Sequence, residues 1–184
     1  MHSHSSTTAV CIELLFLIVA VEASRGPNEL QRDVPDAFKT FQAFAHPIAA
    51  MGNDSDPVLE CASARRAEID PETQTATYVW SLAGEDGKGR QHIPFYNKPG
   101  DSPDVTLFTV GSKSGPVEVG RFRYTDYKNC AILEMSHFGD QCALWVAYEV
   151  RDYIPAVCVE QYFDICGEGV SVYYKKEACK DAYN

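Results

Sequence analysis

Between Ile48 and Val150 the chain is cut into short β-prone runs by clusters of turn residues, and this rhythm limits the fold more than any other feature. The runs are Ile48 to Met51, Val58 to Ile69, Thr73 to Leu82, Arg90 to Tyr96, Val105 to Val110, Val117 to Tyr127, Asn129 to Met135 and Cys142 to Val150. Gly52-Asn53-Asp54-Ser55-Asp56-Pro57, Asp70-Pro71-Glu72 and Gly84-Glu85-Asp86-Gly87 separate the first of them. Eight short strands in succession form a meander that closes as a barrel or stacks as a sandwich. Eight strands make a barrel just wide enough to hold one small ligand.

Helical periodicity flanks the meander. Asp36 is placed to cap a helix over Ala37 to Ala45, with Phe38, Phe41, Phe44 and Ala45 on one apolar face, and Pro47 ends it. Pro155 opens a second helix, Ala156 to Ile165, followed by a short strand at Val170 to Tyr174. The expected fold is all-β: an eight-stranded antiparallel barrel with a short N-terminal helix and a C-terminal helix.

The first residues read as an export signal. Val10 to Val21 is almost wholly apolar, and Val21-Glu22-Ala23 offers small residues at a cleavage site. The run is shorter than the roughly 20 apolar residues of a membrane span. The expected organisation is a signal peptide over 1–23 and a single secreted domain over 24–184. Cleavage would remove Glu13 and Glu22 but no Lys or Arg, taking the formal charge from −10 to −8. So acidic a surface disfavours nucleic acid and anionic membranes as partners.

Six cysteines follow the signal: Cys61, Cys130, Cys142, Cys158, Cys166 and Cys179. In an exported chain they read as three disulfides, and spacing alone leaves the connectivity open. No C-x-x-C pair or Cys/His spacing suggests a metal site. Asn53-Asp54-Ser55 is a glycosylation sequon. His46, His92 and His137 sit in no nucleophile motif, and Gly84 to Gly89 lacks phosphate-loop spacing. A binder is expected, with no catalytic residues and no cofactor.

The C-terminal third carries a family likeness. Asn129-Cys130-Ala131-Ile132, Cys142-Ala143-Leu144-Trp145-Val146 and Ile154-Pro155-Ala156-Val157-Cys158 resemble the signature of tick salivary lipocalins. Asp36-Ala37-Phe38-Lys39 is similar to that family's helix opening, and Asp56-Pro57-Val58 to its turn before the first disulfide strand. The resemblance implies the pairs Cys61–Cys179 and Cys130–Cys158, with Cys142 and Cys166 left to pair. Its rival is a cross-strand Cys130–Cys142 bond. It also implies a monomer that sequesters a small host mediator.

Histamine binders of this family surround the ammonium with carboxylates, since a buried charge requires a partner. Here Ala131 and Ala143 stand where they carry acids, and Arg121 falls at a third acidic position. Period two carries Ala131, Leu133 and Met135, then Ala143, Trp145 and Ala147, along one wall. One reading is an apolar or anionic lipid, such as an eicosanoid or fatty acid. Arg121 or Arg123 would meet its carboxylate, while Leu133, Met135 and Trp145 cover its tail. The other keeps an amine such as histamine or serotonin on Asp36 and Asp56, with Phe38 on the helix and with Trp80 and Trp145 as cation–π faces. If Phe122 and Tyr124 point inward instead, both arginines lie outside. A third class is a host-protein binder that uses the barrel exterior.

Overall fold

The computed structural model describes residues 30–84 and 89–183. The expected signal peptide, and residues 85–88 of the glycine-rich turn, lie outside the described residues. Helix α1 (Ala37–Ala43) leads into β1 (Pro47–Gly52), β2 (Ser63–Asp70), β3 (Thr75–Leu82), β4 (Gln91–Pro99) and β5 (Val105–Val110). Then come β6 (Glu118–Thr125), β7 (Cys130–Met135), a short α2 (His137–Asp140), β8 (Gln141–Ala147), α3 (Ala156–Cys166), β9 (Ser171–Val172) and α4 (Lys176–Cys179).

Strands β2 to β8 pair in sequence, β8 pairs with β1, and β1 reaches β2 at Ile48 and Ser63. The sheet therefore closes into a barrel, with β9 added at the edge of β1. All of the β1 to β8 neighbours are antiparallel. Closure leaves two faces for the alternating side chains to fill. The inner face collects Trp80, Phe95, Phe108, Phe122, Leu133, Met135 and Trp145. The outer face of β1, β7 and β8 collects Ile48, Ile132, Leu144 and Val146 against α3.

Helix α3 packs there because Cys158, Gln161, Tyr162 and Ile165 recur at helical spacing and form its buried stripe. Three disulfides tie this layer together: Cys61–Cys179, Cys130–Cys158 and Cys142–Cys166. These are the pairs that the resemblance implies.

Several boundaries differ from the sequence expectation, and three of the shifts have a local cause. Pro57–Leu59 is a 3-10 turn rather than the start of a strand, because the Asp56 side chain accepts from Val58 N–H and Pro57 occupies its first turn. Strand β8 stops at Ala147, and Tyr148–Val150 turns away as a second 3-10 segment. Helix α1 stops at Ala43, because Phe44 is extended (φ −109°, ψ 99°) and turns its ring into the barrel.

The barrel interior as candidate binding site

Helix α1 stoppers one end of the barrel. Asp36 caps it, accepting from Lys39 N–H at 2.8 Å, and Ala37 N–H donates to Pro103 O at 2.8 Å. Asp36 N–H also donates to the Tyr127 hydroxyl at 2.8 Å. Seated this way, α1 and the residue after it send Phe41 and Phe44 inward. The buried Tyr78 hydroxyl lies 3.0 Å from Phe41 O and 2.5 Å from Phe44 O, fixing the rings from below. Burial pushes the Tyr78 hydroxyl pKa upward, so it remains a donor.

Aromatic rings fill most of the barrel. Trp80 stacks on Phe95 at 4.3 Å and meets Trp145 edge-on at 4.6 Å. Phe95 touches Phe108 at 5.7 Å, and Phe41 meets Phe122 at 5.5 Å. Towards the other end, His137 from the β7–β8 connection sets its ring edge against Phe95 at 5.7 Å. Its Nδ1 lies 2.7 Å from Glu118 Oε1.

Between these rings remains a cavity of about 60 Å³. Small residues make the room: Ala64, Gly120 and Ala131 all line it. Among the described residues, none that lines it is charged; Thr40, Tyr78, Asn97, Thr106 and the indoles of Trp80 and Trp145 are its polar groups. The volume is roughly that of two waters in the liquid, far below the roughly 300–1,000 Å³ of ordinary ligand pockets. Any larger guest must push rings aside as it enters.

Trp80, Leu133, Met135 and Trp145 line the cavity, where the sequence places them. Four other candidates do not reach it. Asp36 is exposed and occupied as a helix cap, and Asp56 is exposed as the cap of the 3-10 turn. Both carboxylates are held by backbone N–H groups at chain reversals, so the amine reading loses its counter-ions. Arg121 points outward and pairs with Asp104 at 2.5 Å, its side chain 41% exposed. Arg123 lies on the same exterior, 3.7 Å from Glu134. The carboxylate-binding role assigned to the arginines is therefore corrected. Phe38, on α1, is half-buried and stands outside the cavity lining.

A bulge in β6 explains the arginines. Phe122 pairs with Leu133 and Tyr124 with Ile132, so Arg123 is an extra residue between them. Before the bulge Gly120 and Phe122 face inward; after it Tyr124 packs on the outer layer under α3. Neither simple alternation drawn from the sequence describes the whole strand. Phe41, Phe44, Tyr78, Phe95, Phe108 and Phe122 were missing from the candidate set. Stepping two residues back from Trp80 would have found Tyr78. Phe122 needed the phase of β6, which the paired arginines obscured.

The eight-strand closed barrel with flanking helices is a lipocalin fold. Solved structures of this architecture include AM182 in complex with serotonin (TM-score 0.59, 13% identity, covering 79% of this chain and 95% of that one). Japanin from Rhipicephalus appendiculatus bound to cholesterol gives a TM-score of 0.51 at 15% identity, over 72% of this chain and 94% of its own. The amine binding protein of Rhodnius prolixus, as its tryptamine complex, gives 0.51 at 12% identity, over 85% and 94%. No curated protein matches the sequence. Residues 49–181 match the family described as tick histamine binding protein, a stretch that takes in β2 to β9, α3 and all six paired cysteines. With that match spanning most of the chain, the protein belongs to the tick histamine-binding protein family.

Proposed function

We propose that this protein is a secreted carrier that sequesters a small, uncharged, largely apolar host mediator inside its barrel. One observation carries the reading: among the described residues, every one that lines the cavity is uncharged, and most are aromatic or aliphatic. A buried ammonium or carboxylate without a partner costs several kcal/mol, on the order of 2 to 7 even for a neutral polar group. A neutral apolar guest escapes that cost and gains about 25 cal/mol for each Å² of apolar surface it buries. Both arginines and both candidate aspartates lie outside, so neither the anionic nor the cationic ligand finds its counter-ion.

A biogenic amine is the second reading, favoured by the family match and by the Trp80 and Trp145 faces, since aromatic rings attract cations. The Asn53 sequon adds to the extracellular reading: Asn53 is exposed, and its Oδ1 accepts from Cys142 N–H at 2.9 Å.

Native mass spectrometry and calorimetry with histamine, serotonin, palmitic acid, methyl palmitate and neutral aromatic ketones separate these readings. The expected result is tighter binding of the neutral compounds, lost in Ala131→Leu, whose added carbons occupy the cavity. Tight stoichiometric histamine or serotonin binding would overturn it. So would a strong preference for the free acid over its ester.

A further inference from the structure

Among the described residues of the cavity wall, Trp145 carries a buried polar atom that the fold leaves unused. Thr40 Oγ1 donates to Asp36 O at 2.7 Å, and Thr106 Oγ1 donates to Lys98 O at 3.2 Å. Asn97 Nδ2 donates to Ala76 O and Phe95 O at 3.2 and 3.1 Å, and the Tyr78 hydroxyl serves the α1 carbonyls. Trp145 is only 6% exposed, lines the cavity, and its Nε1 is buried with no hydrogen-bond partner. Nine-tenths or more of buried polar groups in native proteins find a partner. An indole N–H can only donate, so what would satisfy it is an acceptor. Trp80 is its aromatic neighbour, 4.6 Å away with 60° between the planes. A ring face is a second-order acceptor beside a carbonyl oxygen.

We infer that Trp145 Nε1 is the specificity-determining donor of the barrel. It selects neutral, flat, apolar ligands that bear a hydrogen-bond-accepting oxygen over hydrocarbons of the same shape. The inference rests on the cavity being the binding site. The stacked Trp80 and Phe95 rings supply the flat apolar walls. The donors of Thr40, Tyr78, Asn97 and Thr106 are committed to backbone carbonyls, which leaves the indoles for a ligand oxygen, and of these the Trp145 Nε1 is the one buried without a partner.

Two isosteric probes test it: 2-acetylnaphthalene, and 2-isopropenylnaphthalene, in which a CH2 group replaces the oxygen. The sequence contains two tryptophans, so the intact protein gives two indole N–H resonances, which Trp145→Phe assigns. The ketone should move the Trp145 indole proton downfield, and the alkene should not. Trp145→Phe should lower the ketone-to-alkene affinity ratio by roughly three- to tenfold, the worth of one neutral hydrogen bond. If both probes bind with the Trp145 signal unmoved by the ketone, the inference is overturned and the cavity reading stands. A ratio unchanged in Trp145→Phe has the same consequence. If neither probe binds, the cavity reading fails and takes this inference with it. The indole measurement uses the unmodified protein, so a poorly folding variant does not remove the test.

Discussion

Strands β7 and β8 have two faces with opposite construction. Outward, Cys130, Ile132, Leu144 and Val146 are fully buried beneath α3, and Cys130 and Cys142 are bonded to that helix. Inward, Ala131, Leu133, Ala143 and Trp145 alternate small with large, and the wall borders an unfilled space. Covalent bonds and dense packing hold the strands from outside, so the inside is not required to pack to full density. A binding cavity costs stability, about 24 cal/mol per Å³ by analogy with engineered cavities, or about 1.4 kcal/mol for 60 Å³. An outer layer worth several kcal/mol can carry that loss.

The largest expected effect therefore lies outside the barrel. The Cys61–Cys179 bond closes a loop of 118 residues, against 28 for Cys130–Cys158 and 24 for Cys142–Cys166. Loop-closure entropy assigns about 5 kcal/mol to the first and about 3.5 kcal/mol to each of the others. Replacing each pair by alanine and measuring urea midpoints should reproduce that order. Equal losses from all three would show that native-state contacts, rather than chain entropy, dominate the outer layer.

A smaller effect is expected from His46, beside the β1 end of the same layer. Its ring stacks on Tyr148 at 4.7 Å, and its Nε2 is buried with no hydrogen-bond partner. Burial, followed by the nearby Arg65 charge, lowers its pKa from 6.5 to about 4, with Glu149 opposing and Arg151 assisting. The unfolded chain therefore binds this proton at higher pH than the folded one. The stabilisation is fully present above pH 6.5 and is lost as pH falls towards 4. After allowance for solvent screening it is worth about 1 kcal/mol. Denaturation of the wild type and of His46→Gln at pH 7 and pH 4.5 should show a gap that narrows on acidification. A constant gap would mean that His46 binds its proton equally well in the folded and the unfolded chain.

The smallest effect should come from Arg121→Ala. Its ion pair with Asp104 is half-exposed, and such pairs contribute about 0–1 kcal/mol. Stability should shift by no more than that, with binding to the interior unchanged. A tenfold loss of affinity for any interior ligand would put Arg121 back among the binding residues and break the distinction between the two faces.

The order of elements, the two helices and the apolar inner wall of β7 and β8 could all be read from the residues. Hydrophobic period, turn clusters and caps act over short stretches of chain, so these features are local. The alternation that set Ala131, Leu133 and Met135 apart from Cys130 and Ile132 holds because the two strands carry no extra residue and pair with each other without a bulge. Strand β6 did not yield to the same argument. Period two states which residues share a face but not which face is inner, and a single extra residue at Arg123 reverses the phase midway. The aspartates misled for a related reason, since a carboxylate that caps a helix and one that binds a ligand look alike in a sequence. The size of the cavity and the unused Trp145 N–H emerged only on closure, because both depend on rings arriving from β3, β4, β5, β6 and the α1 end at once. No stretch of sequence records the space left between side chains that meet from so many separate elements.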